Sequence, residues 1–382
     1  MTRTIPTIAR RPTSRSELGT ALAAASGLAA AMGIGRFVYT PLLPVMVDAH
    51  RFDADAGALI ATANYVGYLL GALLLTWRPD LNNRTVFRVS AGALIVSEAV
   101  MMLPGPAILP AAARLVAGVA SAVIFVGCAA VAARPGSHKF GSGIAFGGVG
   151  FGIAVTGLLV LGLRPVLSWQ SLWLVSGLCT LILVIPALSL DIRPGTRGGT
   201  STKRTGYAWR ALLVAYFLEG VGYIVIGTFL VAAVSEQHGP VLGASMWVIV
   251  GAVAAPATVL WGILTRRWRP AVALPIALLA QCVSAILPVV SGHIVPTALS
   301  AALFGATFLG IVMLTMRIGT ELTDSGAAAP LTAVYGAGQI VGPLVVAPVI
   351  SDSYPVAFVI ATIVLAVATV AALATARKIR RT

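Results

Sequence analysis

The sequence predicts an all-α polytopic membrane protein, with twelve transmembrane helices in two pseudo-symmetric six-helix bundles, and three observations carry that expectation. Only 10% of the 382 residues are charged and 58% are hydrophobic, with a mean hydropathy of +0.95. No soluble domain of this size has so little polar surface. Apolar runs long enough to cross a hydrocarbon core of about 30 Å as helices recur from end to end. Of the 26 Lys and Arg, all but Arg36, Arg51, Arg114 and Arg164 lie in the termini, in alternate loops or within a turn of those loops. The positive-inside rule then predicts cytoplasmic termini and an even number of spans, in a multi-pass protein of the plasma (inner) membrane.

The N-terminal arm, 1–17, carries Arg3, Arg10, Arg11 and Arg15. Its charged start resembles a signal peptide, but the apolar run that follows is about 30 residues long and ends in Pro44 and Asp48 without an Ala-x-Ala site, so it reads as an uncleaved first helix. Spans are expected at 18–47, 56–77, 85–104, 107–133, 139–163, 168–190, 207–235, 240–265, 270–290, 293–320, 327–350 and 354–376, separated by Pro, Gly and polar breaks. Residues 191–206, basic and rich in Gly and Thr, read as a flexible cytoplasmic linker. They separate an N-terminal bundle (18–190) from a C-terminal one (207–376), and 377–382 form a basic cytoplasmic tail. Gly33-x-Gly35 recurs as Gly220-x-Gly222 at an offset of 187, and Ala145-x-x-Gly148-x-Gly150 as Ala333-x-x-Gly336-x-Gly338 at 188. Near-equal offsets in separate helices predict an internal duplication, and repeats with a substrate site between them are a transporter architecture.

Several classes are excluded or disfavoured. The net charge of +14 is spread over loops rather than gathered on one face, which argues against nucleic acid. Cys128, Cys179 and Cys282 sit in separate apolar runs, and His50, His138, His238 and His293 are scattered, so neither a disulfide framework nor a metal site is indicated. The same scatter disfavours a membrane-embedded enzyme, and a receptor or scaffold would not need charges within its spans. The expected partners are the bilayer and a small-molecule substrate, for a protein acting as a monomer without a cofactor and driven by a proton gradient.

Charges within spans mark the candidate site, because each is expensive in hydrocarbon unless it meets a partner or a water-filled cavity. Arg36 lies mid-way along the first run. Asn64 and Tyr68, four apart on one face of the second span, and Tyr39, one turn above Arg36, are placed around it as a cavity for an anionic or amphipathic solute. The alternative is close packing, since Gly67-x-x-x-Gly71 shares that helix. Tyr335 and Gln339 offer a second polar pair on the eleventh span. Glu98 and Arg114 sit at matched depth on consecutive antiparallel helices and are expected to pair, either statically or during proton movement. Glu219, with no basic residue within a turn, is the stronger proton-site candidate, with a static pair to Arg36 or a packing role as alternatives. Gly33, Gly35, Pro41, Gly338, Gly342 and Pro343 are expected to let their helices flex.

Gly33-Ile34-Gly35-Arg36-Phe37-x-Tyr39-Thr40-Pro41-Leu42-Leu43-Pro44, followed by Asn64-Tyr65-x-Gly67-Tyr68, resembles the YbfB/YjiJ-type branch of the major facilitator superfamily, whose topology the rest of the chain also resembles. Arg114-x-x-x-Gly118 resembles that superfamily's helix-four arginine motif, which is associated with coupling in proton-driven members. Its loop motif is degraded here, with Thr76 where a glycine belongs and Arg266 where an aspartate does, and the Gly-Pro step of drug antiporters is absent from the fifth span. The resemblance implies a secondary transporter whose branch has no well-defined substrate. The reading drawn from the residues as a whole is alternating access around a midplane cavity, with proton coupling through Glu219, or through Glu98 and Arg114, and export slightly favoured over uptake.

Overall fold

The computed structural model describes residues 14–134, 141–194, 206–291, 293–323, 326–350 and 354–381, and every regular element among them is helical. The first span is broken: α1 (Ser14–Leu28) runs into a π-helical turn (Ala29–Ile34), and α2 (Tyr39–Asp48) resumes after four residues. There follow α3 (Ala54–Trp77), α4 (Arg84–Val100), α5 (Ile108–Ala132), α6 (Gly141–Leu163), α7 (Trp169–Ala187) and α8 (Tyr207–His238). The remaining helices are α9 (Pro240–Leu264), α10 (Pro270–Val290), α11 (Ile294–Leu322), α12 (Ala328–Ile350) and α13 (Tyr354–Arg381). Among the described residues, eleven spans are long and apolar enough to cross a membrane. The twelfth, α4, has 17 residues, at the short end of what a bilayer requires.

Local chemistry sets the helix ends. Asp53 accepts from the Ala56 amide at 2.8 Å, and Asn83 from Val86 at 3.0 Å, each capping the helix that follows. Gly239, at φ +90°, allows the turn from α8 into α9, which then starts on Pro240. Two boundaries are corrected. The helix expected to end at 376 continues as α13 to Arg381, so most of the expected tail is helical, and α8 extends three residues past its expected end. Most of the arm (1–13), the linker core (195–205), His138 and Lys139 lie outside the described residues.

Polarity is distributed as hydrocarbon demands. Leu59, Val96, Ile108, Val166 and Leu260 face outward, while Arg36, Asn64, Glu98, Arg114, Glu219, Gln281 and Gln339 are each no more than 3% exposed. With lipid as apolar as the core, the helices gain from close approach rather than from hiding apolar surface. Gly147 and Gly150 of α6 lie on the backbone of Ala254 and Ala255 in α9, and the Thr258 hydroxyl donates to the Gly143 carbonyl at 2.7 Å. This seam joins the N-terminal helices to the C-terminal ones, and Gly336 of α12 against Leu69 of α3 forms part of a second. Gly33 lies on Gly152 of α6 and Gly220 on Gly338 of α12, so the first span and α8 each approach a glycine-bearing helix closely.

One carboxylate gathers the basic end of the N-terminal helices. Asp191 lies 2.6 Å from Arg193, 3.5 Å from Arg84 and 3.8 Å from Arg134. The hydrogen bond from Arg193 holds its carboxyl below the usual carboxylate range. Exposed pairs of this kind stabilise little, so the glycine seams carry the architecture. Gly150→Val is expected to lower the thermal unfolding temperature by several degrees, an overpacking cost of about 1–3 kcal/mol. Gly92→Ala, whose added methyl meets nothing within 4 Å, should leave that temperature unchanged or slightly raised.

Candidate functional site

The site starts from the break in the first span. Gly35 and Phe37 donate to carbonyls five residues back, at 2.8 and 3.2 Å, so the helix is over-wide where Arg36 leaves it. Pro41 has no amide to give, and the Thr40 amide turns to the Phe37 carbonyl at 3.2 Å. The Gly35 and Arg36 carbonyls instead accept from Arg114 of α5, at 2.6 and 2.7 Å. Arg114 also lies over the rings of Tyr39, at 5.3 Å, and Trp173, at 5.9 Å. It therefore clamps the break.

Arg36 itself points between the two sets of helices. Its Nη2 donates to Gln339 Oε1 of α12. Its guanidinium carbon sits 4.2 Å from the Tyr68 ring centroid, 5.3 Å from Tyr65 and 5.6 Å from Phe37. Gln339 in turn donates to the Tyr223 hydroxyl at 3.1 Å. A continuous polar link thus runs from the first span to α12 and α8, while Nε and Nη1 of Arg36 remain without a hydrogen-bond partner. Tyr223 belongs to an aromatic file that includes Tyr216, Tyr335, Phe304 and Phe308, with ring planes within 20° of parallel at each contact.

Beside this link is a small chamber of about 10 Å³, roughly the room of one water. Phe37, Tyr65, Tyr223, Trp247, Phe304 and Phe308 are among its walls. Farther along α2, α6, α8 and α9, toward the end away from the basic loops, a vestibule of about 420 Å³ is lined by Pro41, Asp48, Arg164, Val231, Glu236 and Pro240, among others. Asp48 and Arg164 pair there at 2.6 Å. The chamber, lined from α3 and α11 as well, is shut, and the vestibule lies farther along the four helices that the two share.

Several expected placements are corrected. Glu98 and Arg114 form no ion pair: Glu98 accepts from Thr180 of α7 at 3.0 Å, and the guanidinium is taken by two carbonyls. Asn64 donates to the Arg114 carbonyl at 2.9 Å, and Tyr39 to the Gly57 carbonyl at 2.9 Å, so both serve packing beside the clamp rather than the ring cage of Arg36. The reason is shared, because freed or buried carbonyls must find donors in hydrocarbon. Arg36 meets Gln339, not Glu219. Glu219 faces Gln281 and Tyr335, yet neither of its oxygens is in hydrogen-bond geometry, nor is either polar atom of the Gln281 amide. Gly338 and Gly342 are points of close approach to α8, and α12 runs unbroken through Pro343.

Tyr68 lies against the Arg36 guanidinium, Gln339 accepts from it, and Tyr335 stacks on Tyr223. Tyr223, Trp247, Phe304, Phe308 and Gln281 were not anticipated. Gln281 had a signal, an amide alone mid-span, and Tyr223 had one in its four-residue spacing from Glu219. The phenylalanines had none, since apolar residues in apolar spans are unmarked.

A many-span protein, all-helical in its described residues, whose buried polar groups converge between two sets of helices beside a shut chamber, is a membrane protein of the transporter class. The chain belongs to the family described as Uncharacterised MFS-type transporter YbfB, part of the major facilitator superfamily, whose model matches residues 28–376. It is also similar to an uncharacterized MFS-type transporter, YceJ, of Bacillus subtilis (strain 168), at 27% identity over 239 residues, or 57% of this chain. The match covers 60% of that relative's length.

The clamp has a measurable consequence. Arg114→Met should cost about 2–5 kcal/mol, because it removes two charge-assisted hydrogen bonds and strands the carbonyls. Glu98→Gln keeps a partner for Thr180 and should change unfolding by less than about 1 kcal/mol. A loss of about 3 kcal/mol or more would mean that a buried ion pair with Arg114 had been broken after all.

Proposed function

We propose that the protein is a secondary active transporter that moves a small organic solute, anionic or amphipathic, across the plasma membrane by alternating access. The bundles formed by residues 18–190 and 207–376 rock about the Arg36 site, with both termini cytoplasmic. The observation that carries this reading is the Arg36–Gln339–Tyr223 link, a buried polar connection between first-half and second-half helices beside a chamber too small for any solute. A link of that kind holds an empty carrier closed and must yield when a ligand arrives. Gly33, Gly35 and Pro41, at the break in the first span, are where we place the flexing.

Proton coupling is assigned to Glu219, with Glu98 as the second candidate. Both are fully buried, and each has at least one carboxylate oxygen without a hydrogen-bond partner, so each is free to take up a proton. Export is slightly favoured over uptake. The alternatives are a membrane-embedded enzyme, which would need clustered His, Asp or Glu at one interface, and a receptor or scaffold, which would not need charges buried within its spans.

Solute flux into proteoliposomes, with and without a pH gradient, tests the reading. Arg36→Ala is expected to abolish flux. Glu219→Gln is expected to retain solute exchange and to lose gradient-driven accumulation by about tenfold or more, the factor that corresponds to about 1.4 kcal/mol. Intact pH-driven accumulation in Glu219→Gln would remove that residue from the coupling assignment, and the absence of flux for every ligand that binds would overturn transport itself.

A further inference from the structure

We infer that the solute is a planar aromatic carboxylate, recognised by Arg36 and Trp247 and held against the file of rings on α8 and α11. The inference rests on the transport reading of the Arg36 site and names its substrate class.

The free hydrogen-bonding groups around the chamber are nearly all donors. Arg36 Nε and Nη1 and Trp247 Nε1 are buried without partners, as is the Thr228 hydroxyl, and both Trp247 and Thr228 line the chamber. Guanidinium and indole nitrogens can only donate. No carboxylate is among the chamber's lining residues. The complement of such a set is an anion with two acceptor oxygens, which a carboxylate presents in the geometry a guanidinium matches best.

The walls select the remainder of the molecule. Tyr223, Phe304 and Phe308 are mutually near-parallel, with interplanar angles of 7–10° and centroids 5.0–6.1 Å apart. Opposite in the chain, Phe37 meets Trp247 edge-on at 5.9 Å. A lining made of near-parallel rings accepts a thin conjugated body better than a puckered aliphatic one. An aliphatic acid would meet the donors but fit the walls poorly. An aromatic amine would set a cation against Arg36.

Gln339 completes the argument. Its carbonyl oxygen holds Arg36 Nη2 from across the two sets of helices, in the place that one ligand oxygen would take. The side chain is an internal stand-in that the ligand displaces, and its release from Arg36 is what frees α12 from the first span.

The test is calorimetric titration of the full-length protein in lipid nanodiscs with benzoate, cinnamate, cyclohexanecarboxylate and benzylamine, followed by flux of the same compounds in liposomes. Benzoate or cinnamate should bind about tenfold more tightly than cyclohexanecarboxylate, and benzylamine should not bind. Arg36→Ala should abolish binding and Arg36→Lys weaken it, so the lysine variant decides if the alanine variant does not fold. Trp247→Phe, which keeps a ring and loses the N–H, should weaken binding by about tenfold, and Gln339→Leu should tighten it by about fivefold. Failure of both aromatic acids to bind at millimolar concentration, equal binding of cyclohexanecarboxylate or benzylamine, or weaker binding by Gln339→Leu would each overturn the inference. Binding of the aromatic acids without flux would sink transport and leave the site chemistry standing. Arg36-dependent flux of a neutral solute would leave transport standing and sink the aromatic carboxylate.

Discussion

A guanidinium in the middle of a membrane span constrains everything near it. Arginine at a span's centre costs about 2.5–3.5 kcal/mol on insertion scales. A charge-assisted hydrogen bond returns about 1.5–3 kcal/mol, and a desolvated ring face about 2 kcal/mol. The single bond to Gln339 and the close face of Tyr68 are therefore enough to hold Arg36 where it is, and little more. A tighter arrangement, such as a direct pair with Glu219, would leave no reason for Arg36 to accept another partner. Two donors on Arg36 stay unused because the chain offers it an amide and not a carboxylate.

The second buried arginine works in the opposite sense. Arg114 binds backbone, not side chains, and the backbone it binds belongs to the break that aims Arg36. Asn64 then fixes Arg114's own carbonyl, and Tyr39 ties the start of α2 to α3. These contacts are local to the N-terminal helices, so the clamp can move as one piece with them. The seams lined by small residues, the Thr258–Gly143 hydrogen bond in one of them, the Phe37–Trp247 contact and the Gln339 link cross to the C-terminal helices. Small residues suit such a seam, since packing with little polar interlocking can be parted at modest cost, whereas the hydrogen-bonded clamp cannot.

The sequence made the architecture legible because hydrocarbon leaves so few options. Length of apolar run, alternation of basic loops and the repeat of Gly33 and Gly35 as Gly220 and Gly222 were each enough to predict spans and their pairing. The site was legible only at its charges. Arg36, Glu98, Arg114 and Glu219 stand out in an apolar chain, and all four are buried as expected. Their partners were harder to read. Pairing Glu98 with Arg114 assumed that opposite charges at one depth find each other, but backbone carbonyls exposed by a broken helix compete for a guanidinium, and a π-turn leaves no mark in composition. The aromatic file was invisible because phenylalanine means nothing special among leucines until neighbouring helices bring its rings into register.

That difference between charge and partner bears on how the chamber works. An arginine held by a carboxylate would release it only if the carboxylate were neutralised, so substrate entry and protonation would be one event at one place. Here the holder is Gln339, which has no charge to neutralise, and Glu219 lies in a separate polar cluster with Gln281 and Tyr335. On the proposed reading the two events are spatially split, and Tyr335 and Tyr223 are what join them. Tyr335 faces Glu219 and stacks on Tyr223 at 5.1 Å, while Tyr223 accepts from Gln339. A shift of the carboxyl on α8 therefore reaches Arg36 through two rings and one amide, each lying on a helix that must move for the chamber to open.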